Sequence, residues 1–289
     1  MDIIGIRRSA IDSPNMGDAD TAIFETVAHE LEQMGHSVVR LSSVAEIHAV
    51  AAQGLDRVGA IYTMTRDEDI LNAIASDAAL DQRLYANSAR GIMASSSRTA
   101  VDEAMQLCGV PAARSVVLVC AADVETLTLR FPLWMKRCQG HSQVHDDVVL
   151  ARDHDEARRV YARFAGRDIT QVHCSEHVVG DLIKFYGVAG TGFFDCDVAD
   201  AAHSKFGLEA VNGPARGYPL DAAALHACAD RLADRLGLPV YGGDCVVRAD
   251  GSVCIIDFND WPSFSRCRTA AATAIAQCIA DHIVNNNIK

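Results

Sequence analysis

Short apolar runs alternate with segments of helical periodicity in the first part of the chain. Three runs predict buried strands and two periodic segments predict helices: Asp2–Ile6, Ser37–Leu41 and Gly59–Met64 for the strands, and Thr21–Met34 and Ile70–Leu80 for the helices. This alternation predicts a small open parallel sheet, in which ligands bind at the carboxyl ends of the strands. The polar segment Arg7–Asp20 follows the first strand and is predicted to be a loop at that edge, either a binding loop or a plain connector.

The remainder of the chain also contains both apolar runs typical of strands and segments with helical periodicity. Asn87–Ala94 is predicted to be a hinge-like stretch, and Ser95 is predicted to cap a helix that ends near Leu107. Further elements are predicted as strands at Arg114–Val119, Phe131–Arg137, Asp168–His173 and Leu182–Val188, and as helices at Asp153–Phe164, Asp221–Leu236 and Thr269–Val284. Tyr241–Arg248 and Ser252–Phe258 are predicted to pair as a hairpin, because Asp250-Gly251 between them favours a tight turn.

The composition limits the classes of function. With 289 residues, 49% of them hydrophobic, the chain is long enough to form two or three compact lobes. A formal net charge of -12 argues against nucleic-acid binding over a broad basic face. The chain has no apolar run of about 20 residues, as a membrane span requires, and no signal-peptide core at its start. Ten cysteines without a C-x-x-C pair favour small buried residues in a reducing compartment. We therefore expect a soluble cytoplasmic protein that binds neither nucleic acid nor membranes.

The predicted C-terminal hairpin carries the strongest chemical signal. Asp244 begins one strand and Asp257 ends its partner, so a tight turn would place them side by side. Asn259 lies two residues after Asp257, so both side chains point to one face of the sheet. Two carboxylates and an amide oxygen form a hard oxygen site suited to Mg²⁺ that is also held by phosphates and water. The alternative is a solvated hairpin face, but these residues interrupt the apolar run Val253–Ile256, where continued burial would be favourable.

The pattern G-x-D, about a dozen residues, and then [DE]-x-N-x-x-P resembles the metal-binding end of the ATP-grasp fold. The resemblance implies that Asp244, Asp257 and Asn259 hold two Mg²⁺ ions, with Mn²⁺ as an alternative, between the phosphates of ATP. Pro262 matches the turn that follows. It also implies an α/β architecture, with a small parallel-sheet domain (1–88) followed by two α+β lobes (89–180 and 181–289) that sandwich ATP.

The same resemblance extends to the rest of the nucleotide site. Lys136 ends a strand in the place of the family's phosphate-binding lysine, and Lys184 lies where the family often has a second basic residue. The hinge that pairs with adenine falls at Glu176, His177 and Val178, and either Glu176 or Asp181 takes the ribose hydroxyls.

Two positions depart from the family pattern. Arg98 stands where the family commonly has a lysine. The phosphate-covering lid, Gln139–Asp147, has one glycine and two histidines where the family is rich in glycine. The lid is therefore expected to close differently, or His141 or His145 contacts a phosphate or the substrate.

By resemblance, the protein is a ligase that phosphorylates a small carboxylate with ATP and joins it to an amine. Lys184 and Arg268 are assigned catalytic roles, and Lys136, Lys184 and Mg²⁺ are expected to neutralise charge. Acceptor recognition is expected from Arg7–Asp20, where Arg7 and Arg8 can meet a carboxylate, and from Asn212–Gly217 and Ser263–Arg268. The alternatives are an ATP-grasp kinase acting on a hydroxyl, or a nucleotide-binding protein with a degenerate site. A homodimer is the commonest state for such enzymes.

Overall fold

Three four-stranded sheets organise the computed structural model, which describes residues 1–13, 16–142, 144–199 and 211–287. Pro14 and Asn15 of the predicted first loop and Gln143 of the predicted lid lie outside these residues. The three sheets follow one another along the chain, and each lies within one of the three predicted segments. The segment boundaries themselves stay predictions. No helix in the described ranges is long and apolar enough to cross a membrane.

The first sheet is parallel, as predicted. Its order is β2-β1-β3-β4, with strands β1 (Asp2–Ile6), β2 (Ser37–Leu41), β3 (Val58–Thr63) and β4 (Leu84–Ala86). The connecting helices are α1 (Gly17–Gln33), α2 (Val44–Ala52), α3 (Glu68–Ser76) and α4 (Ala78–Asp81). The predicted helix Ile70–Leu80 is two helices, α3 and α4. The side chain of Asp77 accepts the N–H groups of Ala79 and Leu80 and so starts a new helix.

Two helices follow this sheet, α5 (Ala89–Ser95) and α6 (Arg98–Leu107). The prediction of a hinge over Asn87–Ala94 was wrong, since Ser88 accepts the N–H of Gly91 and caps a helix there. The prediction that Ser95 caps the second helix was also wrong. Ser97, in an extended conformation, accepts the N–H of Ala100 and starts that helix.

The second sheet is antiparallel, with the order β5-β8-β6-β7. Its strands are β5 (Ser115–Leu118), β6 (Leu133–Arg137), β7 (Val148–Ala151) and β8 (Val172–Glu176), and the neighbouring helices are α7 (Ala122–Glu125) and α8 (His154–Ala165). The predicted strand Asp168–His173 begins later, because the chain still closes α8 there: Asp168 has a φ of 58° and the N–H of Ile169 bonds to the carbonyl of Phe164. Leu133 and Met135 of β6 pack in the core with α8, so the intervening residues face the other way.

The third sheet is also antiparallel, with the order β10-β9-β11-β12. It contains β9 (Asp181–Val188), β10 (Phe193–Val198), β11 (Val240–Val247) and β12 (Val253–Asp260), with α9 (Ala222–Leu236) and α10 (Arg268–Asn287). β11 and β12 form the predicted hairpin, and Gly251 takes a φ of 80° in its turn. One face of this sheet, including Ile183, Phe185 and Phe258, packs in a core with α9 and α5. α10 returns to pack against α1 and the first sheet.

Candidate active site

A cavity of about 370 Å³ lies between the second and third sheets and reaches the loops of the first sheet. Its size is typical of a small-molecule site. Most of the predicted site residues line it: Arg98, Lys136, Glu176, His177, Val178, Lys184, Asp244, Asp257 and Asn259. The remaining two, Asp181 and Arg268, are not among its lining residues.

The third sheet supplies a row of charged residues to the cavity. Lys184 of β9, Asp244 of β11 and Asp257 of β12 are direct neighbours across the three strands. Because Ile183 and Phe185 face the core, the alternation of β9 turns Lys184 toward the cavity. The ammonium of Lys184 lies 3.2 Å from Asp244 Oδ1. Asn259 Nδ2 donates a 2.9 Å hydrogen bond to Asp257 Oδ2.

Arg98 joins this row from α6. Its Nη1 donates to Asp257 Oδ1 at 3.1 Å, and its Nη2 donates to Ser142 Oγ at 3.3 Å. Burial alone would raise the pKa of Asp257, but the cations of Arg98 and Lys136 and the hydrogen bond from Asn259 hold the pKa well below its usual range. Asp257 is therefore ionised at neutral pH.

These residues fit the divalent cation that the fold implies. Asp244 and Asp257 offer two carboxylates on one face, and the bond from Asn259 Nδ2 leaves the amide oxygen Oδ1 as an acceptor. In the described ranges, no group of three or more His, Cys, Asp or Glu residues forms a complete cage for a metal. Mg²⁺ usually takes one or two carboxylates and completes its shell with phosphates and water, so this incomplete set suits it.

Lys136 faces the cavity from the second sheet. Strand alternation places it on the same side as Trp134, and its ammonium lies 3.4 Å from the carbonyl of Ile256. Burial, and then repulsion by Arg98, lower its pKa to about 8 against the opposing attraction of Asp257 and Asp244. Lys136 is thus a buried cation at neutral pH. With Lys184 and Arg98, it gives the middle of the cavity three positive charges against two carboxylates.

The predicted hinge lies at the end of the cavity where β8 leaves the second sheet. Glu176 Oε1 accepts the N–H of Arg130 at 3.0 Å, and Trp134 Nε1 donates to His177 Nδ1 at 3.1 Å. The carbonyl of Val178 accepts a 3.3 Å bond from the Asn212 side chain, so the predicted loop Asn212–Gly217 does meet the hinge. Apolar residues from both sheets surround this end, which suits a flat base better than a phosphate: Trp134, Val178, Leu182 and Val246.

Asp181 has a different surrounding from Glu176. It is buried, and its two oxygens accept the backbone N–H groups of Arg216 at 2.7 Å and Tyr218 at 2.8 Å. Burial works to raise its pKa, but these backbone bonds outweigh burial and leave the pKa lowered. Of the two carboxylates expected at the ribose, the structure brings Glu176 to the cavity and uses Asp181 to hold the loop.

The predicted arginines outside the cavity centre also differ in their surroundings. Arg268 begins α10 and is not among the residues that line the cavity. Arg7 is half-exposed and pairs with Glu25. Arg8 does line the cavity, at the end nearest the first sheet, where its Nη1 lies 3.0 Å from Asp20.

The two histidines of the predicted lid, His141 and His145, differ in burial. His141 is buried at the cavity wall, with Nε2 3.5 Å from Asp260 Oδ1. Burial, followed by the charge of Arg66, lowers the pKa of His141 to about 3, so it is neutral. His145 is mostly exposed, and its Nδ1 lies 4.0 Å from Asp146 Oδ1.

Sequence reasoning missed two groups of cavity residues. Asp102 Oδ2 accepts bonds from His173 Nε2 at 2.8 Å and Ser115 Oγ at 2.5 Å, beside Lys136. The sequence did indicate Asp102, because it lies four residues after the predicted site residue Arg98 and so shares its helix face. The second group joins Asp260 to Arg66, which are 194 residues apart, and local spacing carries no sign of that contact.

Comparisons with known proteins agree with this architecture. No protein-family model matches the chain, and no curated protein matches it. Among solved structures, it is similar to a D-alanyl-alanine synthetase A from Vibrio cholerae, with a TM-score of 0.68, 11% identity and 99% of each chain covered. It is also similar to a RimK domain ATP-grasp protein from Sphaerobacter thermophilus, with a TM-score of 0.64, 15% identity, and 96% of this chain and 99% of that chain covered.

A D-alanine–D-alanine ligase from Bacillus anthracis gives a TM-score of 0.63 at 12% identity, with 99% of this chain and 96% of that chain covered. These likenesses span nearly the whole chain, and at such low identity they concern the fold. They match the order of one parallel and two antiparallel sheets described above. This protein therefore has the ATP-grasp fold.

Proposed function

We propose that this protein is an ATP- and Mg²⁺-dependent ligase that joins a small carboxylate to an amine and releases ADP and phosphate. The observation that carries the proposal is the charge pattern of the cavity. Lys136, Lys184 and Arg98 converge on Asp244 and Asp257, next to an apolar end at the hinge. A nucleoside triphosphate has its parts in the same order as this cavity, with a base for the apolar end and a chain of phosphates for the cations.

Each part of the site has a task in this proposal. Main-chain groups at Glu176–Val178 pair with adenine, and the carboxylate of Glu176 takes the ribose hydroxyls. Lys136, Lys184 and Arg98 leave their present partners and bind the phosphates as charge-assisted donors. Asp244, Asp257 and Asn259 hold Mg²⁺, which, when bound, neutralises phosphate charge.

The reaction needs positioning and charge neutralisation more than a protein nucleophile. A substrate carboxylate oxygen attacks the γ-phosphorus, the bond to the ADP oxygen breaks, and an acylphosphate forms. The amine nitrogen then attacks the acyl carbon, phosphate leaves, and the nitrogen loses a proton. Lys184 and Arg98 lie where negative charge builds up on the transferred phosphoryl group. The relatives whose names identify them as D-alanine–D-alanine ligase and D-alanyl-alanine synthetase support this reaction class.

The test is a screen for ADP release with Mg-ATP and pooled amino acids and small carboxylates. Asp257→Ala is expected to abolish turnover, because it removes a carboxylate from the proposed metal ligands Asp244, Asp257 and Asn259, here called the metal row. Asp250→Ala, in the exposed turn of the same hairpin, is the matched control and should keep wild-type turnover. Normal ATP turnover by Asp257→Ala would reject the metal assignment.

The products separate the ligase from its alternatives. Phosphate released in step with an amine-dependent product supports the ligase. A stable phosphorylated product identifies a kinase. If millimolar Mg-ATP does not stabilise the protein against heat, every ATP-dependent function is rejected, since a ligand that binds the folded state must stabilise it.

A further inference from the structure

The end of the cavity nearest the first sheet is formed where that sheet, the predicted lid and β12 meet. Arg66 follows β3, His141 comes from the lid, and Asp260 ends β12. Asp260 lies three residues beyond Asp257 along β12, which is about 10 Å of extended strand. This end therefore adjoins the metal row on the side opposite the base.

The carboxylate of Asp260 is fully buried and organises this end. Arg66 approaches it through one edge of its guanidinium. Its Nε lies 3.0 Å from Oδ1, and its Nη2 lies 2.7 Å from Oδ1 and 3.3 Å from the backbone carbonyl of Asp260. Arg8 approaches the same carboxylate, with Nη2 3.2 Å from Oδ2.

Arg8 and Arg66 differ in which of their guanidinium nitrogens have hydrogen-bond partners. Arg8 donates through Nε to the carbonyl of Met64, through Nη1 to Asp20, and through Nη2 to Asp260 and the carbonyl of Trp261. Arg66 donates only through Nε and Nη2, so among the described residues its Nη1 has no partner. Its side chain is only 13% exposed.

His141 adds a second nitrogen without a partner. Its Nε2 is buried and makes no hydrogen bond within the described residues, although it lies 3.5 Å from Asp260. A buried donor or acceptor left unpaired costs about 1–3 kcal/mol, and more when it is charged. The buried His141 Nε2 and the Arg66 Nη1 without a partner lie at one cavity wall, and together they indicate a ligand that pairs with them.

We propose that Arg66 Nη1, with His141 beside it, binds a second carboxylate of the substrate, distinct from the one that is phosphorylated. This inference rests on the proposed ligase function. Asp260 takes Nε and Nη2 of Arg66 and fixes the plane of the guanidinium, so the two N–H groups of Nη1 are left for a ligand. A carboxylate suits this position, because its oxygens can accept a charge-assisted hydrogen bond from Nη1 and a second bond from His141 Nε2. The phosphorylated carboxylate must lie at the metal row, so the group at Arg66 is a different one, and the substrate class is a dicarboxylate.

The experiment compares dicarboxylates from succinate to adipate with the monocarboxylates of equal chain length, butyrate to hexanoate. Thermal unfolding is measured at matched ionic strength, with and without a saturating Mg complex of a non-hydrolysable ATP analogue. At least one dicarboxylate is expected to raise the melting temperature of the wild type more than its monocarboxylate partner. Equal effects of both series on the wild type would overturn the inference.

Arg66→Lys is the decisive variant, because lysine keeps a cation beside Asp260 but has no nitrogen that corresponds to Nη1. We expect the apparent affinity for the dicarboxylate to fall about 10- to 100-fold, as for the loss of a charge-assisted hydrogen bond. Arg40→Lys is the matched control, since Arg40 lies on β2 of the first sheet, pairs with Glu25 and Glu32 of α1, and does not line the cavity. A dicarboxylate preference unchanged in Arg66→Lys would reject the assignment.

His141→Ala keeps the test decisive if Arg66→Lys unfolds, because it leaves the Arg66–Asp260 pair intact. It should weaken the dicarboxylate effect and leave the nucleotide effect unchanged, and an unaltered dicarboxylate effect would count against the subsite. The two proposals fail separately. No stabilisation by the nucleotide analogue rejects the ligase, whereas the arm without nucleotide still decides whether Arg66 binds dicarboxylates.

Discussion

Replacing Lys136 by methionine is expected to stabilise the ligand-free protein while it weakens nucleotide binding. Methionine is similar in length and carries no charge, so the change removes a buried cation without opening a large cavity. The wild-type protein retains this cation at a cost, because its contacts in the ligand-free state do not replace the water it loses. The lysine is therefore placed for a ligand more than for the fold.

The magnitude follows from the pKa of Lys136. Its fall from 10.5 to about 8 measures how much the folded protein disfavours the charged form. At 1.36 kcal/mol for each tenfold change, this corresponds to about 3 kcal/mol. Lys136→Met should raise the free energy of unfolding by about this amount at pH 7. It should weaken Mg-ATP binding about 10- to 100-fold, through loss of a charge-assisted hydrogen bond.

The pH dependence gives a second check. Between pH 8 and pH 10.5 the unfolded chain holds the proton on this lysine and the folded protein does not. The stability of the wild type therefore rises with pH across this window, and that of Lys136→Met lacks this rise. The gain from the substitution should be full below pH 8 and should vanish above pH 10.5.

The assay is urea unfolding without nucleotide or Mg²⁺, followed by calorimetric titration with Mg-ATP. Arg152→Met is the control, because Arg152 is 72% exposed and pairs with Glu156 at the surface. Its removal should change the free energy of unfolding by less than about 1 kcal/mol. If Lys136→Met is destabilised, or binds Mg-ATP as tightly as the wild type, the assignment of Lys136 as a buried phosphate-binding cation is wrong.

Further predictions concern packing and acid stability. A Cβ at Gly187 would lie 2.3 Å from the ring of Tyr241, so Gly187→Ala should lower the free energy of unfolding in urea by about 1–3 kcal/mol. At Gly166 the same change meets only contacts of 3.4 Å or more, so Gly166→Ala should be neutral or slightly stabilising, and equal losses at both positions would contradict the packing argument. Burial would raise the pKa of Asp102, but the hydrogen bond and charge of His173, the hydrogen bond from Ser115 and the charge of Lys136 together outweigh burial and leave it lowered. The stability that Asp102 contributes is then present above pH 3.8 and lost at lower pH, so wild type and Asp102→Asn should converge on acidification, and a gap that persists would disprove this role.

The placement of Asp244, Asp257 and Asn259 on one face was predictable from the sequence because its geometry is local. Asp244 and Asp257 belong to one hairpin, and a tight turn at Asp250-Gly251 fixes their pairing. Strand alternation then puts Asn259 on the face of Asp257. The same alternation predicts that Lys136 faces away from the core.

The role of each remaining carboxylate depended on the tertiary structure. Glu176 and Asp181 are five residues apart, and the sequence gives no reason to choose between them. The choice depends on the loop that reaches each one, since Arg216 and Tyr218 donate their backbone N–H groups to Asp181. Helix starts were decided in the same way, by which of several serines takes an extended conformation and accepts an N–H, as Ser97 does for α6.

The sequence by itself determined the alternation of elements, the hairpin, and the three oxygen-bearing side chains at its open end. Only the tertiary structure decided that Asp260, the residue after Asn259, is a buried counter-ion for Arg66 and Arg8. The physical reason is distance along the chain. Periodicity and turn chemistry fix contacts between near neighbours, whereas a carboxylate becomes a ligand or a structural partner according to which distant cation reaches it when the sheets pack.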